Sequence, residues 1–237
     1  MYKRLSAVFL ASALLVGCQS EETVQVTDTP SQIKAAQQTK DDVKSYASTY
    51  KTQSTESNKE TQTYLGLKKD EDDNQEVTVK NAEENGKFYV YDKKAILQKE
   101  GEWVDISKLG GSQLLSMTKP LLYTEQFQLL EKLTDAKYKN HTLTQTINGY
   151  DDYLKVFGQS EEDKKAITNL KKSYPDIHNE ITFTFNKRNQ IEKITNDLKL
   201  KNDKTTVHNN AVTTFSEINS VHLDIPGPVK HAKEVGA

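Results

Sequence analysis

The chain has 237 residues and a formal charge of −2, with 28% charged and 35% hydrophobic side chains and a mean hydropathy of −0.76. That length holds one large domain or two small ones and is ample to bury a core. One long apolar run, at the N-terminus, excludes a polytopic membrane protein; 10 glycines and 5 prolines exclude collagen-like chains, a single cysteine excludes a disulfide scaffold, and no basic excess serves nucleic acid.

Lys3 and Arg4 precede an apolar stretch over 5–16, shorter than the roughly 18 residues a membrane-spanning helix wants. It closes in Leu15-Val16-Gly17-Cys18, which resembles a bacterial lipobox. That resemblance implies a signal peptide over 1–17, cleavage between Gly17 and Cys18, and a diacylglycerol on the Cys18 thiol. The expected location is the extracytoplasmic face of the cell membrane, with the protein held there by lipid. The only thiol of the chain stands where lipidation needs it. Loss of residues 1–17 removes Lys3 and Arg4 and lowers the formal charge by two. The lack of other cysteines suits export, since no disulfide can mispair. Residues 18–31 are polar, acidic and without apolar periodicity, and read as a tether extending at most roughly 3.3–3.6 Å per residue.

Residues 32–237 read as one α+β domain. Ile33, Ala36 and Val43, after Pro30, predict a short helix over 31–43. From Tyr46 the period is two, through Ser48, Tyr50, Thr52 and Ser54, giving a half-polar strand. A second strand over 61–68 alternates Thr63, Leu65 and Leu67 with Tyr64 and Gly66. The acidic run that follows puts Asp70, Asp72 and Asn74 at the first, third and fifth positions of a calcium loop. Gln75 then stands where the turn glycine belongs and Asn81 where the bidentate glutamate belongs, so a solvated hairpin tip is expected instead. Val77 and Val79 share a face of the next strand. Glu84-Asn85-Gly86 signals a turn into Phe88-Tyr89-Val90-Tyr91; Ile96 and Leu97 follow, and Glu100-Gly101-Glu102 turns the chain into Trp103-Val104. Residues 46–104 are therefore expected to form a meander of about five strands, antiparallel because the connections are short.

Leu121, Leu122, Phe127, Leu130 and Leu133 predict one helix or two over 114–133, with Thr124 as a cap. A strand over 141–147 ends at Asn148-Gly149, and a short helix over 150–157 closes at Gly158. Ser160 starts the next helix, whose stripe is Ala166, Ile167, Leu170 and Tyr174 and which Pro175 stops. Ile181, Phe183 and Phe185 alternate with Thr182 and Thr184, and strands over 191–200 and 211–218 lead to Ile225-Pro226-Gly227-Pro228.

Taken together, these features have a family look. The lipobox, the first helix, Phe88-Tyr89-Val90-Tyr91-Asp92, Gly101-Glu102-Trp103-Val104, the helical insertion, and Ile225-Pro226 followed by Val229 and Ala232 resemble a group of Gram-positive lipoproteins. That group is similar to the LolA/LppX-like lipoprotein carriers. The resemblance covers most of 31–235 and implies a curved antiparallel sheet, an incomplete barrel, with helices covering its concave face. It also implies that lipid acyl chains enter between sheet and helices, and it brings no catalytic residue.

The chemistry-bearing residues are scattered. His141, His178, His208, His222 and His231 form no metal-ligand spacing, and His178 with Glu180 is a pair too small for a site. No G-x-S-x-G occurs, and Gly110-Gly111-Ser112 lacks the strand-turn-helix setting of a serine nucleophile. Asp151 and Asp152 begin a helix, where they complement its dipole. A non-enzymatic protein without metal or cofactor is expected, partnered with the membrane through its lipid and with an apolar ligand, and not with nucleic acid. Leu65, Phe88, Val90, Ile96, Phe183 and Phe185 are the candidates to line a ligand cavity, where burial stabilises by about 25 cal/mol per Å². In a sequence, core and cavity-lining residues look identical. The alternative is a surface protein whose outer face, acidic tip and tyrosines meet an envelope or host protein.

Overall fold

A computed structural model of the protein describes residues 26, 28–57, 59–81 and 85–235. The signal segment, the cleavage site, Cys18 and most of the tether lie outside the described residues. Among the described residues no helix is long and apolar enough to cross a membrane.

Helix α1 (Thr29–Thr39) and a 3-10 turn (Lys40–Asp42) lead into β1 (Tyr46–Glu56), β2 (Lys59–Lys69), β3 (Gln75–Asn81), β4 (Asn85–Tyr91), β5 (Lys94–Lys99) and β6 (Glu102–Asp105). Next come α2 (Gly111–Met117), a 3-10 turn (Lys119–Leu121), α3 (Gln126–Leu130), β7 (Lys137–Lys139), β8 (Thr142–Asn148), α4 (Tyr150–Phe157) and α5 (Glu161–Ser173). The chain ends through β9 (Asp176–Phe185), β10 (Ile191–Lys201), β11 (Thr206–Ser216), α6 (Gly227–Lys230) and β12 (Lys233–Glu234).

These strands build one open sheet in the order β12-β6-β5-β4-β3-β2-β1-β11-β10-β9-β8-β7. The pairs are antiparallel except β12 with β6, which is parallel. At the middle, β1 pairs with β11 from Ala47↔Ser216 to Glu56↔Val207, so the two meanders of the chain are joined into one surface. The result is the expected α+β architecture, an incomplete barrel.

Local chemistry explains the element ends. Asp28 caps α1, its carboxylate accepting from the Ser31 N–H at 2.8 Å while the Asp28 N–H donates to the Ser31 hydroxyl at 3.2 Å. Ser160 and Asp163 make the same reciprocal pair at the start of α5, at 3.0 and 2.9 Å. Helix α5 also carries acids in its first turn and Lys171 and Lys172 in its last, both favourable to the dipole. Gly149, at φ 114°, supplies the bend between β8 and α4 that a side chain would strain. Three hairpins turn on residue pairs with positive φ, Asp92-Lys93, Glu100-Gly101 and Asn140-His141, as two-residue turns matched to strand twist require. The Asp70 carboxylate closes its own turn, accepting from the Asp72 N–H at 3.0 Å, the Asn74 N–H at 2.9 Å and the Asn74 amide at 3.0 Å.

Several expectations are corrected. The first meander has six strands, and the short β7 and β12 carried no recognisable pattern. Of the two alternatives expected over 114–133, one helix or two, the structure has two, and the run breaks into α2, a turn and α3 because Pro120 has no N–H and its ring would collide with the carbonyl four residues back. Glu125, not Thr124, precedes α3, and no side chain caps that helix. Asn85 and Gly86, expected in a turn, belong to β4. Helix α1 begins at Thr29, taking up the last residues assigned to the tether, and ends at Thr39.

Candidate functional site

Opposed residues of an antiparallel pair point to the same face, so register traces a face across the whole sheet. Leu65 opposes Tyr50 and Val79, Phe88 opposes Val77 and Leu97, and Val90 opposes Gln75 and Ala95. Phe183 opposes Ile194 and Leu143, and Phe185 opposes Ile191. Leu65, Phe88, Val90, Phe183 and Phe185 thus share the inner face and one buried cluster. Ile96 does not join them. It opposes Tyr89 and Asp105 and packs with Tyr89, Ile225 and Val229 on the other face. Ile96-Leu97 offers two equivalent apolar residues, and register turns Leu97 inward.

An aromatic hub at the centre of this face escaped the sequence reading. The rings of Tyr46, Tyr123 and Phe215 lie 5.1 to 5.9 Å apart, with Phe127 at 5.5 Å from Tyr123. The Tyr123 N–H donates to the Tyr46 hydroxyl at 3.0 Å, and the Ser48 hydroxyl donates to the Leu121 carbonyl at 2.8 Å. Burial pushes both phenols up to about 12, against the opposing pull of the backbone N–H groups they accept. A tyrosine inside the apolar run Leu121-Leu122-Tyr123 was the one available signal.

Helices cover the inner face in two patches. Over the larger cluster lie α1, α2 and α3; the Thr29 hydroxyl fixes the start of α1 by donating to the Ala136 carbonyl at 2.8 Å. The α4–α5 pair covers a second cluster built on Tyr150, Ile167, Ile177 and Leu200, where the Tyr150 hydroxyl donates to the Tyr174 carbonyl at 2.6 Å. Tyr153 and Phe157, with ring centroids 4.5 Å apart, pack against both clusters. Around α2, Leu109, Leu115 and Met117 remain 64%, 37% and 45% exposed.

The outer face is polar over its middle strands. An open groove of about 1180 Å³ runs across β1, β2 and β3, with Tyr64 between the ammonium groups of Lys51 and Lys80, each 5.8 Å from its ring. Beside it, Asp197 faces His208 at 2.9 Å and Asn210 at 3.3 Å. Burial works to raise that carboxyl, but the hydrogen bonds from His208 and Asn210 and the nearby Lys199 prevail and hold it below the usual range. His178 sits 2.7 Å from the Asn148 side-chain oxygen. Among the described residues no group of three or more His, Cys, Asp or Glu side chains could hold a metal ion.

No protein-family model matches the chain, and no curated protein sequence matches it. Solved structures similar to it include LprF from Mycobacterium bovis, at 10% identity and a TM-score of 0.39, covering 86% of this chain and 99% of that one. Another is the LolA superfamily protein NE2245 from Nitrosomonas europaea, at 7% identity and a TM-score of 0.33, covering 84% and 96%. A DUF1329 family protein from Desulfovibrio piger follows at 10% identity and a TM-score of 0.28, covering 84% and 96%. At these identities and scores the likenesses assign neither ligand nor activity to this chain.

Proposed function

We propose that the protein is an extracytoplasmic lipoprotein, held at the membrane through Cys18, that takes up a lipid or other apolar ligand between its sheet and its helices. The supporting observation is the nature of the cover. The inner face is a broad apolar surface that includes Leu65, Phe88, Val90, Phe183 and Phe185, yet α2 and α3 above it have only seven and five residues. Helices below about 12–15 residues do not hold themselves together in water, so these two exist through their contact with the sheet. A hydrocarbon chain offers the sheet the same contact, at about 0.8 kcal/mol per buried CH₂. The exposed Leu109, Leu115 and Met117 place apolar side chains at the edge of that cover.

The test uses the full chain with Cys18→Ser, which carries no lipid of its own. Fluorescent fatty acids and native mass spectrometry should reveal one bound apolar molecule per chain. A chain that recovers no lipid and binds no probe overturns the reading.

One observation favours the other reading, a surface protein that meets an envelope or host protein. The outer groove with Tyr64, Lys51 and Lys80 is open and lined by side chains suited to a polar partner. A photo-crosslinker at Lys51 in intact cells that captures a single dominant protein would support that reading; a lack of any captured protein would count against it.

A further inference from the structure

Polar side chains sit where the two apolar clusters of the inner face meet. Leu198 of β10 opposes Asn179 of β9 and Asn209 of β11, so the three form one row across neighbouring strands. Asn196, two residues before Leu198, opposes Ile181 and Ala211 and shares that face. With strands about 4.7–4.9 Å apart, the three carboxamides leave the sheet within about 10 Å of one another. Asn179 is 0% exposed, and neither its side-chain oxygen nor its nitrogen makes a hydrogen bond. The side-chain oxygens of Asn196 and Asn209 are buried and unpartnered too. Flipping the Asn179 amide cures nothing, because both of its ends lack a partner.

The surroundings define what could satisfy them. Ile147 and Ile181 belong to the larger cluster and Leu198 to the smaller, while Tyr153 and Phe157 touch both. The two residue rows that contain the carboxamides hold no charged side chain from β8 to β2. Asn196 and Asn209 are half-buried, and the inner face continues past them through Ser54 to the exposed Thr61, so the seam opens toward the far ends of β1 and β2.

Native proteins partner the great majority of their buried polar groups, and carboxamides offer donors and acceptors together. We propose that Asn179, Asn196 and Asn209 bind the uncharged polar part, an ester carbonyl or a hydroxyl, of an amphiphilic ligand whose hydrocarbon lies between sheet and helices. This rests on the reading that an apolar ligand enters there, and adds its selectivity. A carboxylate or phosphate in the seam would lose its water and meet no cation in either residue row of the sheet. An ester or hydroxyl gains hydrogen bonds that a bare hydrocarbon leaves unmade.

Three fluorescent probes separate the possibilities: a neutral diacylglycerol, a fatty acid and a pyrene-labelled alkane, each titrated into the full chain with Cys18→Ser. Asn179→Leu and Asn196→Leu are added singly, with thermal melts to verify folding; the half-buried Asn209→Leu substitutes for any variant that fails to fold. Diacylglycerol should bind more tightly than the fatty acid or the alkane, and each variant should weaken diacylglycerol by about tenfold while leaving the alkane unchanged. Variants that bind diacylglycerol as tightly as the parent overturn the proposal and leave the carboxamides as polar groups unconnected with ligand. Failure of the parent chain to bind any of the three probes overturns instead the apolar-ligand reading on which it rests.

Discussion

The backbone N–H of Ile191 donates to the hydroxyl of Tyr123 at 3.0 Å, beside the place where the β9–β10 register shifts. Tyr123 lies in the segment between the 3-10 turn and α3, so this bond ties the helical cover to the sheet. The same residue donates its own N–H to Tyr46 on β1. One phenol pair therefore links two strands and the cover through backbone groups buried from water.

Tyr123→Phe keeps the ring and removes the acceptor, leaving the Ile191 N–H without a partner. The expected cost is about 1–3 kcal/mol, with a fall of roughly 2–4 °C in Tm for each kcal/mol in a domain of this size. Thermal melts and amide exchange at Ile191 check it. Unchanged stability with unchanged protection would show that the bond contributes nothing.

The raised phenols make stability sensitive to alkali. Tyr46, Tyr123 and Tyr153 are pushed up to about 12, chiefly by burial, from an unfolded value of 10.0. The folded state holds these protons more tightly than the unfolded chain, so their contribution is complete below pH 10 and is lost as pH rises toward 12. The urea midpoint should fall across that window, with phenolate absorbance appearing together with unfolding. A midpoint that stays flat from pH 10 to 12 would contradict the assignment.

Gln32 offers the opposite case to the ligand-seam asparagines. It is 0% exposed on α1, and neither of its side-chain polar atoms makes a hydrogen bond. Its neighbours on the helix, Ile33 and Ala36, pack into the larger cluster. Gln32→Leu should therefore raise stability by roughly 1–2 kcal/mol, since an orphaned amide gives way to an apolar side chain of similar size. Chemical denaturation measures this directly; a loss of stability would mean that the amide is satisfied in solution.

Cys18→Ser tests the proposed membrane anchor. Lipidation needs a thiolate nucleophile, and a serine hydroxyl is far poorer. The variant should take no label from a clickable fatty acid and remain largely uncleaved at the lipobox. Its circular dichroism should match the parent, because the packed core begins with α1, after residue 28. A variant that still takes label would refute the lipobox reading.

Most strands over residues 46–218 were legible, the short β7 excepted, because period-two alternation such as Ile181, Phe183 and Phe185 is a local signal. So were the caps at Ser160 and the stop at Pro175, where the chemistry lies within a few residues. What only the tertiary structure decided was pairing and facing. No local pattern says that β1 joins β11 at the centre of the sheet, nor that β12 adds a parallel edge to β6. The same holds for Ile96 and Leu97, both apolar and assigned to opposite faces by the register of β5 against its neighbours β4 and β6. The asparagines show the limit most clearly. Asn179, Asn196 and Asn209 are spaced along three strands as ordinary polar residues, and they become a buried group only when register aligns them and the α4–α5 pair closes over their row. Burial depends on the elements that arrive from elsewhere in the chain, and a sequence carries that information only jointly, through all of its contacts at once.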